Sequence, residues 1–149
     1  MQSKKFLVVE IDDTFYTSCH PHICTSKANA YAYILDEIKF YNLFSEPFEI
    51  KMDDKDRCDY KYGEDKFVVY QIFEIPEEAT YAILYWHAYN GVDFELKSVC
   101  HYGENIREEF DNQINKLNEV YKFDDVNTEQ GLFVGDDGTE WHCLQLIRV

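Results

Sequence analysis

The sequence predicts an α+β fold: a mainly antiparallel sheet of about six or seven strands with two helices packed on one face. Three observations carry that reading. Two segments repeat apolar residues at helical spacing, most of the remaining segments are β-forming, and the strands adjoin one another through tight turns. The chain has 149 residues, of which 46% are hydrophobic, so it is expected to form a single domain, 1–149, with a substantial core.

Lys5 to Asp12 is apolar enough for a central strand. Ser26 is placed to cap a helix running to about Phe44, with Pro47 as its stop. Tyr31, Ile34, Leu35, Ile38 and Tyr41 form its apolar stripe. Phe48 to Met52 suits a short strand, Asp53 to Lys66 is polar and turn-like, and Lys66 to Ile75 is strongly β-forming.

Thr80 to Tyr89 and Val92 to His101 flank Asn90-Gly91, a strong hairpin signal. A two-residue turn would pair Tyr89 with Val92. One face of the hairpin would then carry Tyr81, Ile83, Tyr85, His87 and Tyr89 with Val92, Phe94, Leu96 and Cys100, and this face is expected to be core. The other would carry Ala82, Leu84, Trp86 and Ala88 with Asp93, Glu95, Lys97, Val99 and His101. On that face Leu84 and Trp86 are either covered by another element or exposed to a partner.

A second helix is expected from about Glu104 to Tyr121, with Ile106, Phe110, Ile114, Leu117 and Tyr121 on its stripe. A final hairpin joins Gly131–Val134 to Thr139–Arg148 near Asp137-Gly138. The order is β-α-β-β-β-β-α-β-β, and both halves begin strand then helix, which suggests a duplicated layout.

Recognised catalytic motifs are missing. None of Gly63, Gly91, Gly103, Gly131, Gly135 and Gly138 belongs to a phosphate-cradling loop, and there is no nucleophile elbow or His-Glu-x-x-His pair. The sharpest local cluster is Cys19-His20-Pro21-His22-Ile23-Cys24, whose Cys19, His20, His22 and Cys24 are weak metal-ligand candidates. Structural zinc sites usually join two separated ligand pairs on tight knuckles, and this run is a loose match. The acidic stretch Asp53, Asp54, Asp56, Asp59, Glu64 and Asp65 lacks the ligand spacing and central glycine of a calcium loop and reads as a solvated polar segment. Five Cys, an odd number, suggest reduced thiols. The only apolar run near the start, Phe6 to Val9, is too short for a secretory signal, so a cytoplasmic location is expected.

Charge is the most informative feature. Lys plus Arg total 14 and Asp plus Glu total 29, so the net charge is −15. Residues 1–66 hold 9 basic and 13 acidic residues, net −4, and residues 67–149 hold 5 and 16, net −11. No Lys or Arg occurs between Phe67 and Leu96, where Glu74, Glu77, Glu78, Asp93 and Glu95 lie. None occurs from Phe123 to Glu140, which contains Asp124, Asp125, Glu129, Asp136, Asp137 and Glu140.

These acids are expected at loops and on an outward face, giving a negative surface field rather than internal ion pairs. Direct nucleic-acid or membrane-surface binding is disfavoured, because both rest on Lys and Arg. The expected function is an acidic protein inhibitor whose carboxylates stand in for phosphates. It would occupy the basic nucleic-acid site of a nuclease or other nucleic-acid-binding protein. Such a DNA mimic has the general charge profile of anti-defence and immunity proteins. Those acids, with Leu84 and Trp86, are the candidate partner-binding residues; no catalytic residue and no cofactor are expected, and a homodimer through Leu84 and Trp86 is an option. The alternatives are a metal-dependent or thiol enzyme using residues 19–24 with His87, His101 or His142, or an adaptor whose charge is incidental.

Overall fold

The computed structural model describes residues 3–12, 19–41, 52–53, 56–63, 66–88, 91–129 and 131–149. They form an α+β architecture with two antiparallel sheets, one of four strands and one of five, in place of the single sheet expected. The chain divides into two compact units, passing from the first to the second at Glu77 and Glu78.

The first unit contains β1 (Lys4–Asp12), β2 (His20–Cys24), α1 (Lys27–Tyr41), β3 (Arg57–Gly63) and β4 (Lys66–Pro76), in sheet order β2-β1-β4-β3. The second contains β5 (Ala79–Ala88), β6 (Val92–His101), α2 (Ile106–Val120), β7 (Asp125–Glu129), β8 (Leu132–Asp136) and β9 (Trp141–Arg148), in order β6-β5-β9-β8-β7. Setting β5, β6, α2, β8 and β9 against β1, β2, α1, β3 and β4 makes the two orders coincide, with β7 as an added edge strand. The duplicated layout is therefore present in the topology.

In the first unit, Ser26 Oγ accepts the Asn29 N–H at 3.0 Å and starts α1 as expected. The buried face of α1 is Ala30, Ile34 and Ile38, which pack with Val8, Cys24, Val68, Tyr70 and Ile72. Tyr31 and Leu35 are exposed instead, rotated one position off the expected stripe. Tyr31 Oη donates to Asp56 at 2.9 Å, and Lys27 pairs with the same carboxylate at 2.8 Å. The stretch expected to be a polar loop contains β3, where Cys58, Tyr60 and Tyr62 alternate inward with Asp59 and Lys61 between them. The expected strand at 48–52 and the helix end at Phe44 fall mostly or wholly outside the described residues, as do Asp54, Glu64 and Asp65.

In the second unit, α2 begins where Asn105 Oδ1 accepts the Glu108 N–H at 3.1 Å. Its Phe110 and Leu117 pack with Ile83, Tyr85, Phe133 and Leu144. In both units the sheet face turned away from the helix is buried too: Leu7, Val9, Ile11 and Val69 in the first, Ala82, Leu84, Trp86 and Cys143 in the second. Burial on both faces explains why these strands read as continuous apolar runs rather than alternating ones.

The hairpin register differs from the expected one. Ala88 pairs with Val92, so three residues lie between the strands, and Trp86 pairs with Phe94 and Leu84 with Leu96. Tyr89 and Asn90 lie outside the described residues, while Gly91 has φ +146°, a backbone that favours glycine. A bulge at Lys97 then shifts the register, so that Ile83 pairs with Ser98 and Tyr81 with Cys100. Between the turn and the bulge, a one-residue slip exchanges the two faces of β6. Val92, Phe94 and Leu96 join the Leu84 and Trp86 face, and Asp93 and Glu95 join Tyr85 and His87.

Candidate functional site

Most of the candidate acids lie at the surface. Glu74, Glu77, Glu78, Asp93, Glu95, Asp124, Asp125 and Glu129 are exposed, whereas Asp136, Asp137 and Glu140 are half-buried. Leu84 and Trp86 are each 0% exposed, so neither is available to a partner, and a dimer through that face is withdrawn. Of the two outcomes the sequence allows for this face, covered or exposed, the structure has the covered one, and the slipped register moves Asp93 and Glu95 to the other face.

The segment before Gly131 is a further correction. Asp125 to Glu129, read from sequence as loop, is strand β7, paired with β8 from Asp125↔Asp136 to Glu129↔Leu132. Every residue of β7 is exposed, and it ends the sheet order. Its low apolar content hid it, because an edge strand exposed along its length has no buried face to impose alternation. Asp124, Asp125 and Glu129 therefore stand on or beside an accessible sheet edge, near exposed Val126 and half-exposed Trp141.

A different set of acids turns inward to histidines. Strands β5 and β9 pair His87 with His142. His142 is 0% exposed; its Nε2 lies 2.8 Å from Asp137 Oδ2 and its Nδ1 lies 2.7 Å from Tyr85 Oη. Glu140 Oε2 is 3.9 Å from the same Nε2, and Glu140 Oε1 is 3.1 Å from His87 Nδ1. Asp93 Oδ2 approaches His87 Nε2 at 3.6 Å, a contact that the hairpin slip creates. Tyr121 and Phe123, just after α2, cover the His142 ring with centroids 4.0 and 5.7 Å away. Asp137 and Glu140, both half-buried and turned to histidines, therefore depart from the expectation of outward acids, whereas Asp93 stays exposed.

The turn from β8 to β9 positions the two central carboxylates. Asp137 Oδ1 accepts the backbone N–H groups of Thr139 at 2.8 Å and Glu140 at 2.7 Å, leaving Oδ2 to face His142. Gly138 has φ +92°, a backbone that favours glycine. The Glu140 and Thr139 N–H bonds, and then His142, hold the Asp137 carboxyl down to about 2. An ionised Asp137 only accepts, so His142 Nε2–H donates to it, and Tyr85 Oη lies at hydrogen-bond distance from Nδ1 on the other side of the ring. Burial pushes the Tyr85 phenol far above its usual range, with a hydrogen bond to Tyr121 adding to the effect, so Tyr85 remains a neutral hydroxyl.

The other ligand candidates do not converge. Residues 19–24 are not a loop: His20–Cys24 is strand β2, paired with β1 from Glu10↔His20 to Phe6↔Cys24. Alternation sends Cys19 to the opposite face from His20, His22 and Cys24. His22 stacks on Tyr33 at 3.9 Å, and Cys24 joins the core of the first unit. None of the five cysteines is in a disulfide, and all are buried. Burial raises the thiols of Cys24, Cys58, Cys100 and Cys143, to about 11 for Cys58 and about 12 for Cys143, which keeps them in the weakly nucleophilic protonated form.

The sequence named His87, His142, Asp137 and Glu140 separately but not as a group. The spacing Asp137-x-x-Glu140-x-His142 across a turn was the available local signal, and the pairing of β5 with β9 was the missing one. No described helix is long and apolar enough to cross a membrane. The chain matches no family model, no curated protein and no solved structure.

Proposed function

We propose that the protein is an acidic binding protein that inhibits a nuclease or other nucleic-acid-binding protein by occupying its basic groove. The observation that carries the reading is the β7 edge. It is exposed along its whole length, carries Asp125 and Glu129 with Asp124 before it, and belongs to a segment, 123–140, without a Lys or Arg. Carboxylates spaced along an extended strand offer a row of negative groups where a basic groove expects phosphates. An edge strand also presents unpaired backbone groups that can hydrogen-bond to a partner. The net charge of −15 exceeds the roughly 2 to 8 units that solubility asks of a small domain, and it would steer a basic partner toward the surface.

The test is affinity capture from lysate of the producing or target cell, with elution in stepped salt and identification by mass spectrometry. The reading expects a basic nucleic-acid-binding protein, released as salt rises, whose nucleic-acid binding the purified chain blocks at a fixed stoichiometry. Recovery of no such protein even at low salt, or recovery of one that binds nucleic acid and the chain together, would overturn it.

A further inference from the structure

We propose that Asp137, Glu140 and His142 form a binding site for a divalent transition-metal ion of the zinc class. Three donors, each about 2.1 Å from one ion, stand roughly 3 to 4 Å from one another. Here one ligand atom from each residue lies within 4.8 Å of the other two, with His142 Nε2 at 2.8 Å from Asp137 Oδ2 and 3.9 Å from Glu140 Oε2. The donor set includes an imidazole that is fully buried and directed into the cluster, which distinguishes it from a chance grouping of surface acids.

The surroundings favour the same reading. The Asp137 carboxylate has one oxygen committed to two backbone N–H groups, so Oδ2 is left as a single oriented donor. Glu140 Oε1 is engaged by His87 Nδ1, which leaves Oε2 toward the ion. A histidine that ligates through Nε2 must carry its proton on Nδ1 and needs an acceptor there. Tyr85 Oη occupies that place at 2.7 Å, and its hydrogen bond to Tyr121 accommodates its own proton. With an ion on Nε2, this tautomer of His142 would be satisfied at both nitrogens. Binding would replace the Nε2 proton with the ion and release that proton to water.

One nitrogen and two carboxylate oxygens select against calcium and magnesium, which prefer all-oxygen sets, and suit zinc. The half-buried Asp137 and Glu140 leave the solvent side of the ion open to water.

The experiment is calorimetric titration of the chelator-treated full chain with zinc, magnesium or calcium chloride in separate runs. The wild type is compared with Glu140→Gln and His142→Gln. Glu140→Gln keeps the turn, because the Glu140 backbone rather than its carboxylate closes it. The expected result is one zinc ion per chain, with affinity lowered about tenfold or more in Glu140→Gln. Absence of stoichiometric zinc binding, unchanged affinity in Glu140→Gln, or calcium or magnesium binding as tight as zinc would overturn the proposal. If His142→Gln remains folded by circular dichroism, it too must lose the site; if it unfolds, Glu140→Gln decides alone.

Discussion

The two units share a strand order but fill the space beneath their helices differently. Against Ile34 and Ile38 of α1 the first packs Val8, Cys24, Val68, Tyr70 and Ile72. Against Phe110 and Leu117 of α2 the second packs Ile83, Phe133 and Leu144, but at the C-terminal end of that helix it seats a fully buried His142 under Tyr121. A buried imidazole is tolerated there because both its nitrogens are hydrogen-bonded, one by a phenol from β5 and one by a carboxylate from the β8–β9 turn. The same layout supports a core without ionisable nitrogen or carboxylate groups beneath the helix or a histidine–carboxylate centre, depending on whether a turn delivers the partners. Sheet edges differ as well, since among the described residues the second unit alone has an added fifth strand, the exposed and acidic β7.

The largest effects should come from the two centres. Ile34→Ala leaves a cavity in the first unit and should cost about 2 to 5 kcal/mol in urea unfolding, with little dependence on pH. His142→Phe keeps a ring in the second unit but removes the partner of Tyr85 Oη and of Asp137 Oδ2, and should cost about 2 to 3 kcal/mol. Equal insensitivity of the two substitutions to pH would break the contrast.

Acid titration sharpens it further. Folding lowers the Asp137 carboxyl from 3.8 to about 2. Its stabilisation is therefore complete above pH 3.8 and lost as pH falls through about 2, a loss on the order of 1 to 2 kcal/mol. Asp137→Asn should remove that share of the acid sensitivity, as read from urea midpoints at pH 5 and in strong acid; an unaltered profile would assign the sensitivity to other groups. Gly138→Ala, at the turn that orients both carboxylates, should cost about 1 to 2 kcal/mol because its φ is positive. Smaller still, Ser26→Ala and Asn105→Ala each remove a helix cap and should cost about 1 kcal/mol in either unit.

Much of this was legible in local pattern and the rest was not, for physical reasons. Ser26 and the 3.6-residue repeats located both helices, because capping and amphipathicity are written within a few residues. The α+β class and the β5–β6 hairpin followed from strand-like runs and the Asn90-Gly91 pair. The division into two sheets was hidden, since strands buried on both faces carry no sign of which neighbour they pair with. β2 and β7 were missed because edge strands need little apolar content. The site was missed because it depends on Tyr85 and His87 meeting residues more than fifty positions away, and on a three-residue turn that sets Asp93 opposite His87. Glu95, moved to the same face, pairs with Lys97 at 3.0 Å, a partner the alternating pattern had placed beside it but not against it.

The acidic edge of the second unit carries the functional claim, and one comparison tests it most directly. Asp124→Asn, Asp125→Asn and Glu129→Gln combined alter exposed side chains and should change stability by no more than about 0.5 kcal/mol. Wild type and this triple variant, immobilised side by side, would be exposed to the same lysate and eluted in stepped salt. The account predicts that a basic nucleic-acid-binding protein is retained by the wild type, is released as salt rises, and is lost from the variant. Equal retention by both would contradict it.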